Sequence, residues 1–293
     1  MQIRLGLIAL AVMVGSLVAC VSSRTGPESK KYTIYLSNNF VGNDWRQQML
    51  RSAEIAVRKP PLGGRIDLKI ENVETTAQAQ INSLNNIIRT KPDAILIDAA
   101  SATALNPTIE KACQAGIVVI TFDQITTAEC AYGIDTDWPR AAAVEAEWIA
   151  RKIGGKGKVL VDRGLAGAPV SDILVSGFEK SIQKYPGIEI VGYFNGDYSL
   201  GPEQAAVANL LAAHSQVDAI LVQGYGPGAM KALEDAGRKI VPITGSAFNL
   251  STVTCAQTPG AACILSSNPP YLSAEALKLA SSIAEKSTRR NLV

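Results

Sequence analysis

Carboxylates, amides and aromatic side chains follow several segments of this sequence that have the pattern of buried strands. Asp98 ends the apolar run AILID, and Asp123-Gln124 follows the run IVVITF. Tyr198 and Tyr225 each follow a later strand-like run, in loops rich in glycine. In an open α/β sheet the carboxyl ends of the strands meet at one edge, where ligands bind. We therefore expect these side chains to meet in one pocket.

The types of these side chains indicate what such a pocket would hold. Carboxylates accept strong hydrogen bonds from neighbouring hydroxyls, and Asn and Gln both donate and accept. Tyr198, Tyr225 and, unless it belongs to the core, Trp45 would stack on C–H faces. The acidic residues of this set outnumber its cation, Arg46, which disfavours phosphorylated or multiply anionic molecules. The pattern predicts a pocket for a neutral, polyhydroxylated molecule.

The charged residues also have plainer structural interpretations. Asp98 and Asp123 could cap the turns that follow their strands. Asp172 could be no more than a favourable charge at the start of a helix. We interpret Asp44 as the cap of the helix that begins there, and Arg46 could do no more than pair on the surface.

Composition and residue counts exclude several classes of protein. The 293 residues are 47% apolar and 18% charged, with a net charge of +2 and no dominant basic patch, so we expect no nucleic-acid partner. The one histidine, His214, excludes a zinc site built on histidines. The loop Gly224–Ala229 resembles a dinucleotide fingerprint, but its third glycine comes one residue early and Pro227 stiffens the turn. We expect no enzyme, no cofactor and no metal site.

The first twenty residues have the pattern of a secretion signal. Arg4 supplies positive charge, an apolar run follows at 5–19, and the sequence LVAC resembles a bacterial lipoprotein processing site in which Cys20 is lipidated. A plain signal peptide with a chance cysteine is the alternative. Residues 21–30 are polar, rich in turn formers, and predicted to be a tether. We expect a periplasmic or cell-envelope protein.

Four further cysteines support export, because an oxidising compartment permits disulfides. They are Cys113, Cys130, Cys255 and Cys263, and four cysteines allow three pairings. The local pairing, Cys113 with Cys130 and Cys255 with Cys263, closes the shortest loops. Buried free thiols are the alternative. No pair has CxxC spacing, so we expect no redox catalysis.

Strand and helix patterns alternate from residue 31 onward. In the first half, strands are predicted at 33–37, 66–73, 94–98 and 118–122, and helices at 44–58, 76–89 and 104–115. In the second half, helices are predicted at 138–153, 171–184, 202–213, 228–236 and 271–286, and strands at 158–162, 188–194, 219–222, 240–244 and 264–267. This rhythm predicts an α/β fold with two doubly wound parallel-sheet lobes joined by a hinge. The predicted N-terminal lobe is 31–134 plus 268–293, and the C-terminal lobe is 135–267.

Several motifs resemble the periplasmic sugar-binding proteins of the ribose-binding type. These are the Asn43-Asp44-Trp45 turn, the run at 111–124, GIDTDW at 133–138, GLAGAPVSD at 164–172 and the run at 217–233. The resemblance implies the type I periplasmic-binding-protein fold, closure of two lobes around one monosaccharide, and an ABC permease as partner. It implies ligand contacts at Asn39, Asn43, Trp45, Asp98, Asp123, Gln124, Asp172, Tyr198, Tyr225 and Ser267. We expect a monomer.

The sequence departs from that family's pattern at four positions. Gln124 and Asp172 stand where the family has arginines, Tyr225 where it has an aspartate, and Ala205 where it has an asparagine. The hydrogen-bonding map therefore differs from that of a ribose pocket. The chain also ends where the family adds a strand, which suggests truncation. The alternative function is a periplasmic receptor that reports a sugar or a furanosyl signal to a sensor kinase or chemoreceptor.

Overall fold

The computed structural model describes residues 31–247 and 250–290, with side chains as far as residue 286 in the last helix. The predicted signal segment, the tether and Cys20 lie outside these residues. The first sheet is parallel, with strand order β2-β1-β3-β4-β5. Its elements are β1 (Tyr32–Asn38), α1 (Asp44–Ala56), β2 (Ile66–Asn72), α2 (Ala77–Arg89), β3 (Ala94–Asp98), α3 (Asn106–Gln114), β4 (Val118–Phe122) and β5 (Tyr132–Ile134).

The second sheet is also parallel, with strand order β10-β9-β8-β6-β7. Its elements are α4 (Trp138–Lys152), β6 (Lys156–Asp162), α5 (Pro169–Ile182), β7 (Gly187–Phe194), α6 (Leu200–Ala213), β8 (Ala219–Leu221), α7 (Pro227–Asp235), β9 (Ile243–Ser246), α8 (Leu250–Gln257) and β10 (Cys263–Ser266). The chain then forms α9 (Leu272–Arg290). The prediction of two parallel-sheet lobes is confirmed.

The last helix returns the chain to the first sheet. Ala276, Leu277 and Ala280 of α9 are fully buried in the same core as Ile34 and Leu36 of β1. Two short crossovers, 135–137 and 267–271, therefore join the parts that carry the two sheets. The exact limits proposed above for the lobes stay a prediction.

Central strands are buried because both faces carry apolar side chains. All five residues of β3 are buried, and four of the five in β4. This burial explains why the strands read as continuous apolar runs rather than alternating ones. Asn38, the last residue of β1, pairs in register with Asp98, the last residue of β3. The register therefore brings two polar side chains together at the carboxyl edge of the first sheet.

Some predicted boundaries were wrong. The strand predicted at 240–244 corresponds to β9, which begins three residues later than predicted, because Pro242 has no N–H to donate to the neighbouring strand. The helix predicted from Pro202 begins at Leu200. The short strand β5 and the helix α8 had not been predicted.

The structure pairs Cys113 with Cys130 and Cys255 with Cys263, the arrangement that closes the shortest loops. The first disulfide ties α3 to the segment before β5, and the second ties α8 to β10.

Among the described helices, none combines the length and apolar character needed to cross a bilayer. Among the described residues, no group of three or more His, Cys, Asp or Glu side chains is arranged to hold a metal ion.

Candidate functional site

The carboxyl edges of the two sheets face a cleft that contains two adjoining chambers. The inner chamber has a volume of about 60 Å³ and the outer chamber about 470 Å³. Asp123, Trp138 and Val170 line both chambers, so the two chambers adjoin. The inner chamber alone has room for a few water molecules, whereas the outer chamber lies within the range of ordinary ligand pockets.

Side chains of both lobes contribute to the inner chamber. The first lobe and its crossover contribute Asn43, Trp45, Arg46, Asp123, Gln124 and Asn268. The second lobe contributes Trp138, Val170, Leu174, Tyr198, Gln223, Gly224 and Ser246.

The start of helix α1 positions three of these residues. Asn43 is the N-cap, and its Oδ1 accepts a hydrogen bond of 2.9 Å from the Arg46 backbone N–H. This cap turns Trp45 and Arg46 of the first helical turn toward the cleft. Trp45 Nε1 donates to the Asn268 carbonyl at 2.6 Å, which joins α1 to the second crossover. The prediction that Asp44 is the cap was wrong, because Asn43 has the extended backbone and the capping contact.

Arg46 lies at the centre of a buried charge cluster. It is only 3% exposed, forms an ion pair with Asp98, and places Nη2 3.3 Å from Asp123 Oδ2. Its Nη1 also donates to Asn38 Oδ1 at 3.3 Å, which the register of β1 and β3 places beside Asp98. The interpretation of Arg46 as a surface residue was therefore wrong, since two strand-end carboxylates hold it inside.

Burial governs the electrostatics of this cluster. Desolvation lowers the pKa of Arg46, and the Asp123 carboxylate opposes that change. Desolvation raises the pKa of Asp123, while Arg46 and a 2.7 Å hydrogen bond from Asn268 Nδ2 lower it. Asp123 also has a backbone φ of +61°, in the left-handed region that non-glycine residues seldom adopt. Asp123, which the sequence predicts as a ligand contact, therefore has a backbone conformation that is unusual for a residue with a side chain.

The second lobe offers a neutral hydrogen-bond network. Tyr198 Oη and Ser171 Oγ are 2.6 Å apart, and Tyr198 Oη donates to Gln223 Oε1 at 3.2 Å. Gln223 Nε2 donates to the carbonyls of Asp162 and Ser171, both at 3.0 Å. Burial raises the pKa of Tyr198, so the phenol stays protonated. At position 224 only glycine fits, because a Cβ would lie 2.5 Å from Tyr198 Cδ1.

Two hydrogen bonds join the lobes beside the chambers. Asn43 Nδ2 donates to the Tyr198 carbonyl at 3.2 Å, and the Leu250 N–H donates to Asp44 Oδ2 at 3.0 Å. Tyr198 has a φ of +49°, and so does Asp197 before it. This unusual loop conformation presents the Tyr198 carbonyl to the other lobe. The structure is thus that of a closed cleft.

Asp135 anchors one aromatic wall of the site. Although the residue as a whole is exposed, its Oδ1 accepts hydrogen bonds from Trp138 Nε1 at 2.7 Å and from the Thr136 N–H at 2.8 Å. Removal of the carboxyl group from water raises the pKa of Asp135 to about 7, and the nearby negative charge of Asp123 adds to the rise. The first crossover therefore contributes both a carboxyl and an indole to the cleft.

The predicted site residues fall into two groups. Those that line a chamber are Asn43, Trp45, Asp123, Gln124, Tyr198 and Asp172, the last in the outer chamber only. Those that line neither chamber are Asn39, Asp98, Tyr225 and Ser267. A role in ligand binding stays a prediction for both groups.

Each residue of the second group has another position in the structure. Asp98 lies behind Arg46 as its ion-pair partner, and Asn39 is buried beside β1. Tyr225 is buried, and its hydroxyl forms a hydrogen bond with Asp44, which together with burial raises the pKa of Tyr225 to about 12. Ser267 is exposed in a separate groove along the crossovers.

Five residues with polar side-chain groups line the inner chamber but were not among the predicted ligand contacts: Arg46, Trp138, Gln223, Ser246 and Asn268. Gln223 and Asn268 follow strands in the sequence, so their position was a usable signal. Trp138 ends the motif GIDTDW, but nothing in the pattern showed that it faces the cleft. Arg46 follows Trp45 on an apparently ordinary amphipathic helix, and its burial depends on carboxylates from distant strands.

Comparison with known proteins decides the family. A model described as the periplasmic binding protein domain matches residues 34–288 of this chain. The chain belongs to this family. The resemblance to the ribose-binding type is confirmed.

Three relatives show how this periplasmic binding protein compares with others. It is 25% identical over 251 residues to the xylitol-binding protein of Mycolicibacterium smegmatis, covering 83% of this chain and 69% of that protein. It is 29% identical over 154 residues to the ribose import binding protein of Escherichia coli, a match that spans 52% of each chain and thus about half of that relative. The solved structure of an ABC transporter solute-binding protein from Thermobispora bispora is 32% identical, with a TM-score of 0.77, covering 87% of this chain and 80% of that one.

Proposed function

We propose that this protein is the solute-binding component of an ABC importer and binds a monosaccharide or a similar small polyhydroxylated molecule between its two lobes. The observation that carries this proposal is the cleft at the carboxyl edges of two parallel sheets, in a chain of the periplasmic binding protein family. Carboxyl, amide, phenol and indole groups surround it, which suits a ligand with many hydroxyls and apolar C–H faces. Relatives of this chain bind xylitol and import ribose.

The ligand acts by favouring the closed arrangement. Contacts such as that between Asn43 and the Tyr198 carbonyl exist only when the lobes approach each other. A ligand that touches both lobes binds the closed form better than the open form, so it shifts the equilibrium toward closure. A permease that reads the closed shape then receives loaded protein. The family is one of solute-binding proteins rather than of enzymes.

Location and assembly follow from the same role. The family implies a periplasmic or cell-envelope protein. Export by the segment 1–20, attachment of a lipid at Cys20, and a monomeric state are further parts of the proposal. Mass spectrometry of the mature protein would test the first two, because lipidation adds a defined mass to an N-terminal cysteine. Size-exclusion chromatography with light scattering would test the third.

Ligand binding is tested by thermal unfolding of the chain without residues 1–20 against pentoses, hexoses, polyols and the amino derivatives of these compounds. A ligand at one hundred times its dissociation constant stabilises the native state by about 2.7 kcal/mol, which raises the melting temperature measurably. Asp123→Asn should remove most of the shift, because Asp123 lines both chambers. Asp67→Asn, an exposed residue of β2, is the matched control and should keep it. If cooperatively unfolding protein shows no shift with any compound, the proposal is wrong.

A further inference from the structure

Carboxyl groups outnumber cations in the cleft. Asp123, Asp135 and Asp172 line the outer chamber, and Asp98 lies behind the inner one. Among the described residues that line either chamber, Arg46 is the one basic side chain. With all groups ionised, these residues leave a formal excess of three negative charges. A neutral ligand would leave this excess uncompensated.

Arg46 is not available to balance the outer chamber. Its guanidinium already forms ion pairs with Asp98 and Asp123, and it donates to Asn38 as well. Charge–charge energies rise steeply as the effective dielectric constant falls, so carboxylates gathered in a closing cleft repel one another. The influence of Asp123 on the Asp135 carboxyl is an instance of this repulsion. A positive group between them would relieve it.

The inner chamber also presents an acceptor that has no donor. Gln124 is 2% exposed and lines the chamber, and its Oε1 has no hydrogen-bond partner among the described residues. An unsatisfied buried acceptor is unfavourable, because it has lost its hydrogen bonds to water. A ligand donor would recover this cost. A ligand hydroxyl that enters the inner chamber can donate to Gln124, which leaves the carboxylates of the outer chamber to a group that only donates, such as an ammonium with its three N–H donors.

An aromatic wall lies beside these acids. Trp138 lines both chambers, and its indole N–H is held by Asp135. Indole rings attract cations through their quadrupole, and tryptophan does so best. Trp138, Asp123 and Asp135 thus place an aromatic ring and two carboxyls along one side of the cleft.

We propose that the ligand of this cleft carries a protonated amine in addition to hydroxyl groups, so that its class is amino sugars or amino polyols. The amine lies in the outer chamber near Asp123, Asp135 and Asp172, and the hydroxyl-bearing part enters the inner chamber toward Gln124 and Tyr198. This inference rests on the proposed function, since it names the class of ligand for the same site.

Matched pairs of compounds test the inference by isothermal titration calorimetry. D-glucosamine is compared with D-glucose, D-galactosamine with D-galactose, and D-glucamine with D-sorbitol, at a near-neutral pH at which most of each amine is protonated and Asp135 is partly ionised. The expected result is at least about tenfold tighter binding of one amine than of its hydroxyl partner, which corresponds to about 1.4 kcal/mol. N-acetylation of that amine should abolish the preference, because it removes the charge.

The outcomes of the calorimetry distinguish failure of the amine inference from failure of the proposed function. If neutral sugars or polyols bind as tightly as their amines or more tightly, the amine inference is overturned and the proposed function stands. If neither neutral nor amino compounds bind to folded protein, both are overturned.

A charge variant provides a second measurement. Asp172 is exposed at the start of α5, so Asp172→Asn should leave folding intact. It should weaken binding of the amine about two- to fivefold, as expected for one partly exposed charge pair, and weaken binding of the neutral partner by a smaller factor. Equal weakening of both compounds would show that Asp172 accepts from hydroxyls, which contradicts the inference. Asp67→Asn serves again as the control for net charge.

Discussion

The two lobes stabilise their buried acids in different ways. In the first lobe Asp98 and Asp123 share one guanidinium, that of Arg46. In the second lobe no cation among the described residues pairs with Asp162, and its carboxylate accepts from backbone N–H groups of Gly164 at 2.7 Å, Gly196 at 2.9 Å and Gln223 at 3.2 Å. The first lobe thus compensates its buried carboxylates with a guanidinium, whereas the second surrounds the Asp162 carboxylate with backbone N–H groups.

This difference separates two tasks. Asp162 lines neither chamber, and its hydrogen bonds tie together the loops after β6, β7 and β8. It therefore shapes the second wall of the cleft without facing the ligand. Asp123 lines both chambers, with its Oδ2 3.3 Å from Arg46 Nη2 and its Oδ1 accepting from Asn268 Nδ2. In the inner chamber the first lobe thus offers charge to a ligand, and the second offers neutral hydrogen-bonding groups.

Removal of the cation should be the most damaging change. Arg46→Ala leaves Asp98 and Asp123 buried without their partner, and breaking a buried ion pair costs about 3–5 kcal/mol in the free energy of unfolding. Chemical denaturation measures this loss. Arg51→Ala, on the same helix but exposed, is the matched control and should change stability by no more than about 0.5 kcal/mol. Equal effects of the two variants would show that the charge cluster does not stabilise the first lobe.

Much of this architecture could be predicted because it depends on local pattern. The apolar runs that form β3 and β4 are buried on both faces, so the sequence alone indicates a parallel sheet and its polar carboxyl edge. Asp123 and Gln124 follow directly from that edge. The position of Tyr198 also follows, since its loop continues a strand.

The charge cluster could not be predicted in this way. Arg46 lies on a helix, and only the packing of α1 against the sheet shows that its side chain reaches two strand ends. Tyr225 has the same type and strand-end position as Tyr198, yet it turns to Asp44 instead of the chambers. Side-chain direction after a tight glycine turn depends on tertiary contacts, which periodicity does not contain.

A buried carboxyl with neither a cation partner nor a ring of backbone donors should make stability depend on pH. Glu145 of α4 is buried and bonded to Ser266, with no cation nearby among the described ion pairs. Desolvation raises the pKa of Glu145 to about 8, against an ordinary value of 4.5. The native state therefore keeps its proton while the unfolded state loses it, so stability is full below about pH 4.5 and falls as pH rises toward about 8.

Glu145→Gln should remove this share of the pH dependence. The free energy of unfolding of the variant should depend less steeply on pH between about 5 and 8. At the alkaline end of this range it should be larger than that of the original protein, by an amount on the order of 3 kcal/mol or less. Glu147→Gln on the same helix alters a partly exposed partner of Lys184 and should leave the slope unchanged. Identical slopes for the protein and both variants would show that Glu145 is ionised in the native state.

A substitution of Asp162, whose carboxylate accepts from three backbone N–H groups, should give the smallest effect on stability. Asp162→Asn keeps the shape of the side chain but turns one acceptor into an NH₂ group that faces backbone N–H donors, so we expect a loss of about 1–3 kcal/mol in unfolding free energy. Glu189→Gln, exposed on β7 in the same lobe, should have no measurable effect. Because Asp162 only shapes the wall, the stability loss should exceed any loss in ligand affinity. A variant with normal stability and abolished binding would instead place Asp162 among the groups that serve the ligand, and the division of tasks between the lobes would not hold.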